Sequence, residues 1–186
     1  MGYSLSQLRQ KLMRKIGGIS CQNCNYDTFG ALLFTYKEHD CSKKNGILST
    51  TRYQFYLNNL EQAKQDLEIL CYNCHRQKMT RQSRSKDSKY QKYSRIYDIK
   101  QRKQIMTLLN QYNCVNCGED DFEVLEIDHI KGIGNRLFKV FKSKRKEWLY
   151  FINNPQKIQE ELQILCRNCR KLKQFGVLQE PITVCC

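Results

Sequence analysis

The chain has 186 residues, of which 40% are hydrophobic and eleven are cysteine, and its formal net charge is +14. No stretch approaches the roughly 18 consecutive apolar residues of a membrane span, and the first 20 residues carry no secretory pattern. We therefore expect no membrane association and an intracellular, reducing compartment, where Cys-x-x-Cys pairs bind metal rather than form disulfides. The charge favours a polyanionic partner, with nucleic acid as the first choice.

The first module, assigned to residues 1–78, opens with an amphipathic pattern over 4–16 that predicts a helix. A Cys-x-x-Cys pair follows, and then a short apolar run, ALLFTYKEH (31–39), ends in an acid and a histidine. The block FYLNNLEQAKQDLEILCYNC (55–74) closes the module with a second pair. The four cysteines of this module are Cys21, Cys24, Cys71 and Cys74.

A strongly basic stretch lies between the modules. Residues 76–95 contain eight Lys or Arg and one acid, with almost nothing available for a core. We assign 79–95 as a basic linker, with a solvated helix extension as the alternative. Arg81 and Arg84 are candidate phosphate contacts if this segment binds nucleic acid rather than only water.

The second module, assigned to residues 96–178 with a tail over 179–186, repeats these features in the same order. DIKQRKQIMTLLNQY (98–112) predicts a helix, and FEVLEIDH (122–129) alternates apolar and polar residues as a strand does. Asn154-Pro155 predicts an N-cap and a short helix. The cysteines are Cys114, Cys117, Cys166 and Cys169. One module used twice predicts a pseudo-dimer within a single chain.

Each module thus offers four thiolates, which suit a tetrahedral zinc site with no position left open for water. The two pairs of a module are 46 or 48 residues apart, far more than in a simple zinc finger, so each ion would tie together the ends of a sub-fold. We predict two structural Zn²⁺ ions per chain. Three cysteines stay outside this scheme: Cys41, Cys185 and Cys186.

A second basic stretch, KGIGNRLFKVFKSKRK (131–146), carries seven Lys or Arg and no acid. It is interleaved with Phe138 and Phe141 and is followed by Trp148. The basic groups could neutralise phosphates and the aromatics could stack on unpaired bases; alternatively, the aromatics belong to the core. The candidate phosphate contacts are Lys131, Arg136, Lys139 and Lys142.

A Cys-x-x-Cys, an acid–His pair at a strand end and a Leu-Cys-x-x-Cys followed by His resemble the HNH, or ββα-metal, endonuclease family. LEIDHIKGIGNR and LQILCRNC of the second module carry the resemblance best, and the two copies span most of residues 4–175. The resemblance implies an α+β fold of two tandem, zinc-stapled ββα-metal modules. It also implies hydrolysis of phosphodiester bonds with a divalent ion, Mg²⁺ or Mn²⁺.

The same resemblance implies roles for single residues. His39 and His129 would be equivalent general bases, while Glu38, His75 and Asp128 would hold the catalytic ion. Arg170 stands in the second module where His75 stands in the first, and a guanidinium has no lone pair to give a metal. We therefore expect at most one fully equipped site and an enzyme that nicks nucleic acid, with DNA favoured over RNA.

Two alternatives remain open from the sequence. Arg170 could contact a phosphate, which would suit a catalytically inactive, zinc-containing nucleic-acid-binding protein that retains the HNH fold. A purely structural zinc protein without a nucleic-acid partner is the third possibility, and the net charge of +14 argues against it.

Overall fold

A computed structural model of the chain describes residues 4–37, 48–84, 88–132 and 140–178, with the backbone alone at 82–84. Within these ranges the fold is α+β, with eight helices and two sheets of two strands each. The chain divides into two compact units, Met1–His75 and Arg76–Cys186. No helix of the described ranges has the length and apolarity needed to cross a membrane.

The first unit begins with helix α1 (Leu5–Ile16), as predicted, and Ser4 and Gln7 form a capping box at its start. The other elements of this unit are a 3₁₀ turn (Phe29–Ala31), β1 (Leu32–Tyr36), α2 (Thr50–Asn58), α3 (Leu60–Asp66), β2 (Leu67–Cys71) and the first turn of α4 (Tyr72–Arg84). β1 and β2 are antiparallel, and the core against them includes Leu12, Met13 and Ile69.

The second unit contains the same succession. Its elements are α5 (Lys89–Leu109), β3 (Leu125–His129), α6 (Lys144–Ile152), α7 (Pro155–Glu161), β4 (Leu162–Cys166) and α8 (Arg167–Gln174). The predicted N-cap at Asn154 with proline at the first helical position is confirmed. The Asn154 side chain does not cap α7, however, but donates to the carbonyl oxygen of Tyr150.

The internal repeat extends to individual contacts. Arg9 of α1 lies over the ring of Phe29, 4.2 Å from its centre, and donates to the carbonyl oxygen of the same residue. Arg102 of α5 lies 4.3 Å from the ring centre of Phe122 and donates to the Phe122 carbonyl oxygen. The same cation–π contact and hydrogen bond therefore fasten the first helix of each unit to the turn before its first strand.

Most of the predicted linker is helical. α4 runs to Arg84, and α5 begins at Lys89 with a capping box formed by Ser88 and Gln91. The helix-extension alternative therefore describes residues 79–84 better than a linker does. The last seven residues of the predicted linker belong to the same continuous helix as the pattern at 98–112.

Candidate metal centres and the acid–histidine site

The eight cysteines of the four Cys-x-x-Cys pairs form two clusters, as their spacing predicts. In each cluster the four sulfur atoms lie within 4.8 Å of one another, and three of the four cysteines are buried. In both units the second pair lies where a strand passes into a helix: Cys71 ends β2 and Cys166 ends β4. Each cluster can hold a metal ion.

The first pair of each cluster lies in a tight turn. The amides of Asn25 and Gly118 donate to the carbonyl oxygens of Cys21 and Cys114, both at 2.9 Å. Asn25 has a φ of 59° and Gly118 a φ of 79°, so both adopt the left-handed conformation that glycine and asparagine tolerate best. This conformation turns the chain sharply after the second cysteine and brings both sulfurs of the pair to one side.

Polar hydrogens point at the sulfur atoms. The side-chain amides of Asn23 and Asn116 lie 3.2 Å from the sulfurs of Cys74 and Cys169. The backbone amide of each second cysteine also approaches the sulfur of the first, at 3.4 Å for Cys71 and 3.5 Å for Cys166. Such donors favour sulfur in its negatively charged form, the form that binds metal.

The four sulfurs cannot all be anionic without a cation. Hydrogen bonds from the Cys166 and Cys169 thiols lower the pKa of Cys114 well below its usual range. The reciprocal hydrogen bond raises the pKa of Cys166 to about 12. The thiolate of Cys114 is thus stabilised by neighbours that stay protonated. A bound cation would allow all four cysteines to deprotonate together.

The acid–histidine pair of the second unit lies at the end of β3. Nε2 of His129 is 2.8 Å from Oε1 of Glu147 on α6, and the ring packs against Phe151. Glu147 is only 7% exposed. Glu147 was not among the predicted site residues, although it is the first acid after the basic stretch 131–146, where a lone carboxylate stands out.

Asp128 is 9% exposed and is surrounded by donors of the chain itself. Its Oδ1 accepts from Nε of Arg170 at 3.1 Å. Its Oδ2 accepts from Nζ of Lys173 at 2.8 Å and from the side-chain amide of Gln163 at 3.1 Å. Lys173 is fixed in place because it also donates to the carbonyl oxygens of His129 and Ile130. Two cationic groups therefore neutralise the predicted metal ligand.

Arg170 binds a second carboxylate. Its Nη1 contacts Glu126, whose other oxygen lies 2.7 Å from Nε of Arg167. Nε and Nη1 of Arg170 are therefore both engaged by carboxylates, while its side chain stays one-third exposed and its role as a nucleic-acid contact stays a prediction. Arg170, Lys173 and Arg167 form one ionic cluster with Glu126 and Asp128.

This cluster predicts sensitivity to acid. Burial alone would raise the pKa of Glu126, but Arg167 and Arg170 outweigh it and lower the pKa to about 2. Because this folded-state pKa lies below the value of about 4.3 in an unfolded chain, the stabilisation is present above about pH 5 and is lost as the pH falls towards 2. The shift of about two units corresponds to roughly 3 kcal/mol.

We expect the free energy of unfolding of the second unit, measured by urea denaturation, to decrease by at least about this amount over that range, and the decrease to be smaller by about this amount in Glu126→Gln. Thiolates of an occupied cysteine cluster would also protonate in acid, so Glu123→Gln, a change close by in the chain, is the matched control. An unchanged pH profile in Glu126→Gln would contradict this assignment.

The register of the two sheets corrects the predicted equivalence of His39 and His129. Tyr36 pairs with Leu67, whereas His129 pairs with Leu162, and these two leucines occupy the same place in the repeat. The residue equivalent to His129 is therefore Tyr36. The sequence held a signal for this, because His129 follows Cys114 by the same number of residues as Tyr36 follows Cys21.

The first unit has different chemistry at this position. Thr35 stands where the second unit has Asp128. The hydroxyl of Tyr36 accepts from Nη1 of Arg52 on α2 at 3.0 Å, so a tyrosine–arginine contact replaces the histidine–glutamate contact. His75 lies half-buried in the first turn of α4, directly after Cys74. Glu38 and His39 lie outside the described residues, and their catalytic roles stay predictions.

The predicted phosphate contacts fall into two groups. Arg81, Lys131 and Lys142 are exposed. The side chain of Arg84 and the whole of Arg136 and Lys139 lie outside the described residues. Among the aromatics, Trp148 is buried in the core of the second unit, which supports the core alternative for it. Phe141 is half-buried and packs on Tyr150, and Phe138 lies outside the described residues.

A cleft of about 310 Å³ lies beside β3 in the second unit. Cationic side chains line much of it, namely Arg76, Arg95, Arg102 and Lys144. Two of its acids already have cationic partners, since Asp98 is paired with Arg145 and Glu126 belongs to the ionic cluster. Glu123 is the third acid of the lining, so four cationic and three acidic side chains leave the cleft a small excess of positive charge.

A scan against models of known protein families, a search of curated proteins and a search of solved structures all gave no match. What these sites can do follows from their own geometry.

Proposed function

We propose that this protein is a zinc-containing nucleic-acid-binding protein built from two HNH-like ββα units, of which the second binds nucleic acid without cleaving it. The contact of Arg170 and Lys173 with Asp128 carries the proposal. A divalent ion requires a carboxylate that can give it lone pairs. Both oxygens of Asp128 already accept hydrogen bonds from the chain, two of them from cations.

Zinc is the proposed ion of both cysteine clusters. Four thiolates around one ion suit tetrahedral zinc, and such sites are closed to substrate. Asparagine side chains that donate to Cys74 and Cys169 supply outer contacts of the kind that hold metal ligands in place. The ions are thus assigned a structural role, and the function has to lie elsewhere on the surface.

Nucleic acid is the proposed partner because of charge and its distribution. The chain carries +14, and Arg81, Lys131 and Lys142 are exposed. The cleft beside β3 adds four cationic side chains, against three acidic ones, in one concave place. Exposed and concave positive charge neutralises phosphates and releases their counterions, whatever the base sequence.

A nicking endonuclease is the second candidate, and His75 is the observation that favours it. The first unit keeps a histidine, which can ligate a metal, where the second unit has Arg170. With Glu38 and His39, which follow β1 in the sequence, the first unit could hold one Mg²⁺ or Mn²⁺. His129 could also act as a base in the second unit, where its ring lies beside the carboxylate of Glu147.

Incubation of the zinc-loaded protein with supercoiled plasmid and Mg²⁺ or Mn²⁺ separates the two candidates. The wild type is compared with His39→Ala, His75→Ala and His129→Ala. We expect no metal-dependent nicking by any of them. Nicking lost with His39→Ala and His75→Ala would establish the endonuclease in the first unit, and nicking lost only with His129→Ala would reject the role proposed for the second.

Binding should depend strongly on salt. Neutralising about three phosphates predicts an affinity for duplex DNA or RNA that falls about fortyfold between 50 and 200 mM salt. Fluorescence anisotropy of labelled duplexes measures this slope. Removal of one phosphate contact, for example by Lys131→Gln, should reduce the slope by about one. No binding to either nucleic acid at the lower salt concentration would reject the proposed function.

A further inference from the structure

Three tyrosines form a row on the first half of α5. Tyr90, Tyr93 and Tyr97 are 78%, 62% and 47% exposed. Their spacing of three and four residues places them on one face of the helix. Tyrosine is usually at least half-buried in a folded protein, so three exposed rings in a row indicate an interaction surface.

Positive charge surrounds this row. Lys89, Lys92 and Lys100 are exposed on the same helix, and residues 89–97 include no acid. The first acid, Asp98, is neutralised by Arg145, whose guanidinium also lies 5.3 Å from the ring centre of Tyr97. Among the described residues, this part of α5 therefore combines flat aromatic rings with flexible cations, and its one carboxylate, Asp98, is paired.

The tyrosines are not needed for the core. The buried residues of α5 lie in its second half, namely Gln101, Ile105, Met106 and Leu109. The phenol of Tyr97 accepts a hydrogen bond from Gln101 at 3.2 Å, which fixes that ring at the base of the row. The rings of Tyr90 and Tyr93 stand further out, so they can meet a partner without disturbing the fold.

We propose that this tyrosine row binds single-stranded nucleic acid, with the rings of Tyr90, Tyr93 and Tyr97 stacking on unpaired bases and the lysines contacting the phosphates between them. This deepens the proposed function and rests on it. Charge complementarity selects the occupant: an acid-free, lysine-flanked face suits a polyanion, and the flat rings suit bases. Stacking needs bases that no partner strand covers, so the ligand is a single strand rather than a duplex.

The test uses the full-length, zinc-loaded protein and labelled single-stranded and duplex oligonucleotides of one sequence, in DNA and RNA forms. Tyr90→Ala and Tyr93→Ala should each weaken binding of the single strand at least about fivefold and leave duplex binding unchanged. The corresponding phenylalanine variants should bind as the wild type does. Tyr112→Ala removes a tyrosine that is 56% exposed outside the row and serves as the matched control.

The dependence on salt distinguishes stacking from charge. Tyr93→Ala should leave the salt slope unchanged, whereas Lys92→Gln should reduce it by about one. Wild-type affinity of both alanine variants for the single strand would overturn the inference while duplex binding still upheld the proposed function. Leucine variants that bind the single strand as well as phenylalanine variants would show that flat rings are not required, and would overturn the inference too. If the wild type bound neither single-stranded nor duplex nucleic acid, both proposals would be overturned.

Discussion

Cys166→Ser is expected to unfold the second unit and to reduce the metal content of the chain from two ions to one. The sulfur of Cys166 lies in the cluster with Cys114, Cys117 and Cys169, at the end of β4. Structural zinc binds peptides of this kind with an apparent free energy of about 10–16 kcal/mol. That is as large as the whole stability of a typical domain, about 5–15 kcal/mol.

Elemental analysis and far-UV circular dichroism measure the two parts of this result. Cys71→Ser should have the same effect on the first unit alone, because it holds the equivalent place in the other cluster. Cys186→Ser removes a thiol outside both clusters and is the control for a lost cysteine. Two bound ions and unchanged unfolding in Cys166→Ser would show that the cluster is not a metal site.

Arg170→Ala is expected to lower the stability of the second unit by about 3 kcal/mol. Removing one partner of a buried ion pair costs about 3–5 kcal/mol, because a charge remains in a poorly solvated place. The lower end applies here, since the Arg170 side chain is one-third exposed. In addition, Asp128 keeps Lys173 and Glu126 keeps Arg167.

Denaturant unfolding monitored at Trp148, the chain's one tryptophan and a core residue of this unit, measures the loss. Arg170→Lys should recover only part of it, because an ammonium cannot reach both carboxylates as a planar guanidinium does. A double-mutant cycle with Asp128→Asn isolates the pair, and a coupling below about 0.5 kcal/mol would contradict a shared ionic cluster. Lys171→Ala, one residue along α8, is the neighbouring control.

Much of the local structure could be predicted from the sequence. Cysteine spacing located both clusters, because a Cys-x-x-Cys turn can present two sulfurs to one ion wherever the chain places it. The repeat revealed that the units are built alike, and Asn154-Pro155 located the start of α7. These features depend on residues close together in the chain, where sequence patterns are most informative.

The site was harder to predict because long-range contacts determine it. The acid–His motif suggested that His39 matches His129, but the register of β1 and β2 makes Tyr36 the residue equivalent to His129. The contact of Glu147 with His129 depends on how α6 packs against β3. Arg170 was expected to remove a metal ligand or to contact a phosphate. Its side chain and that of Lys173 reach across to Asp128, which spacing along α8 could not show.

The covalent attachment of Arg170 and Lys173 has a consequence for how the second unit responds to its surroundings. A dissolved divalent ion occupies a site in proportion to its concentration, whereas a cation held on the same chain stays at a high effective concentration. Asp128 and Glu126 are thus neutralised whether divalent ions are scarce or abundant. A fall in metal concentration would remove an ion bound by its cysteine cluster. The ionic cluster would keep its cations and would change its charge only with pH.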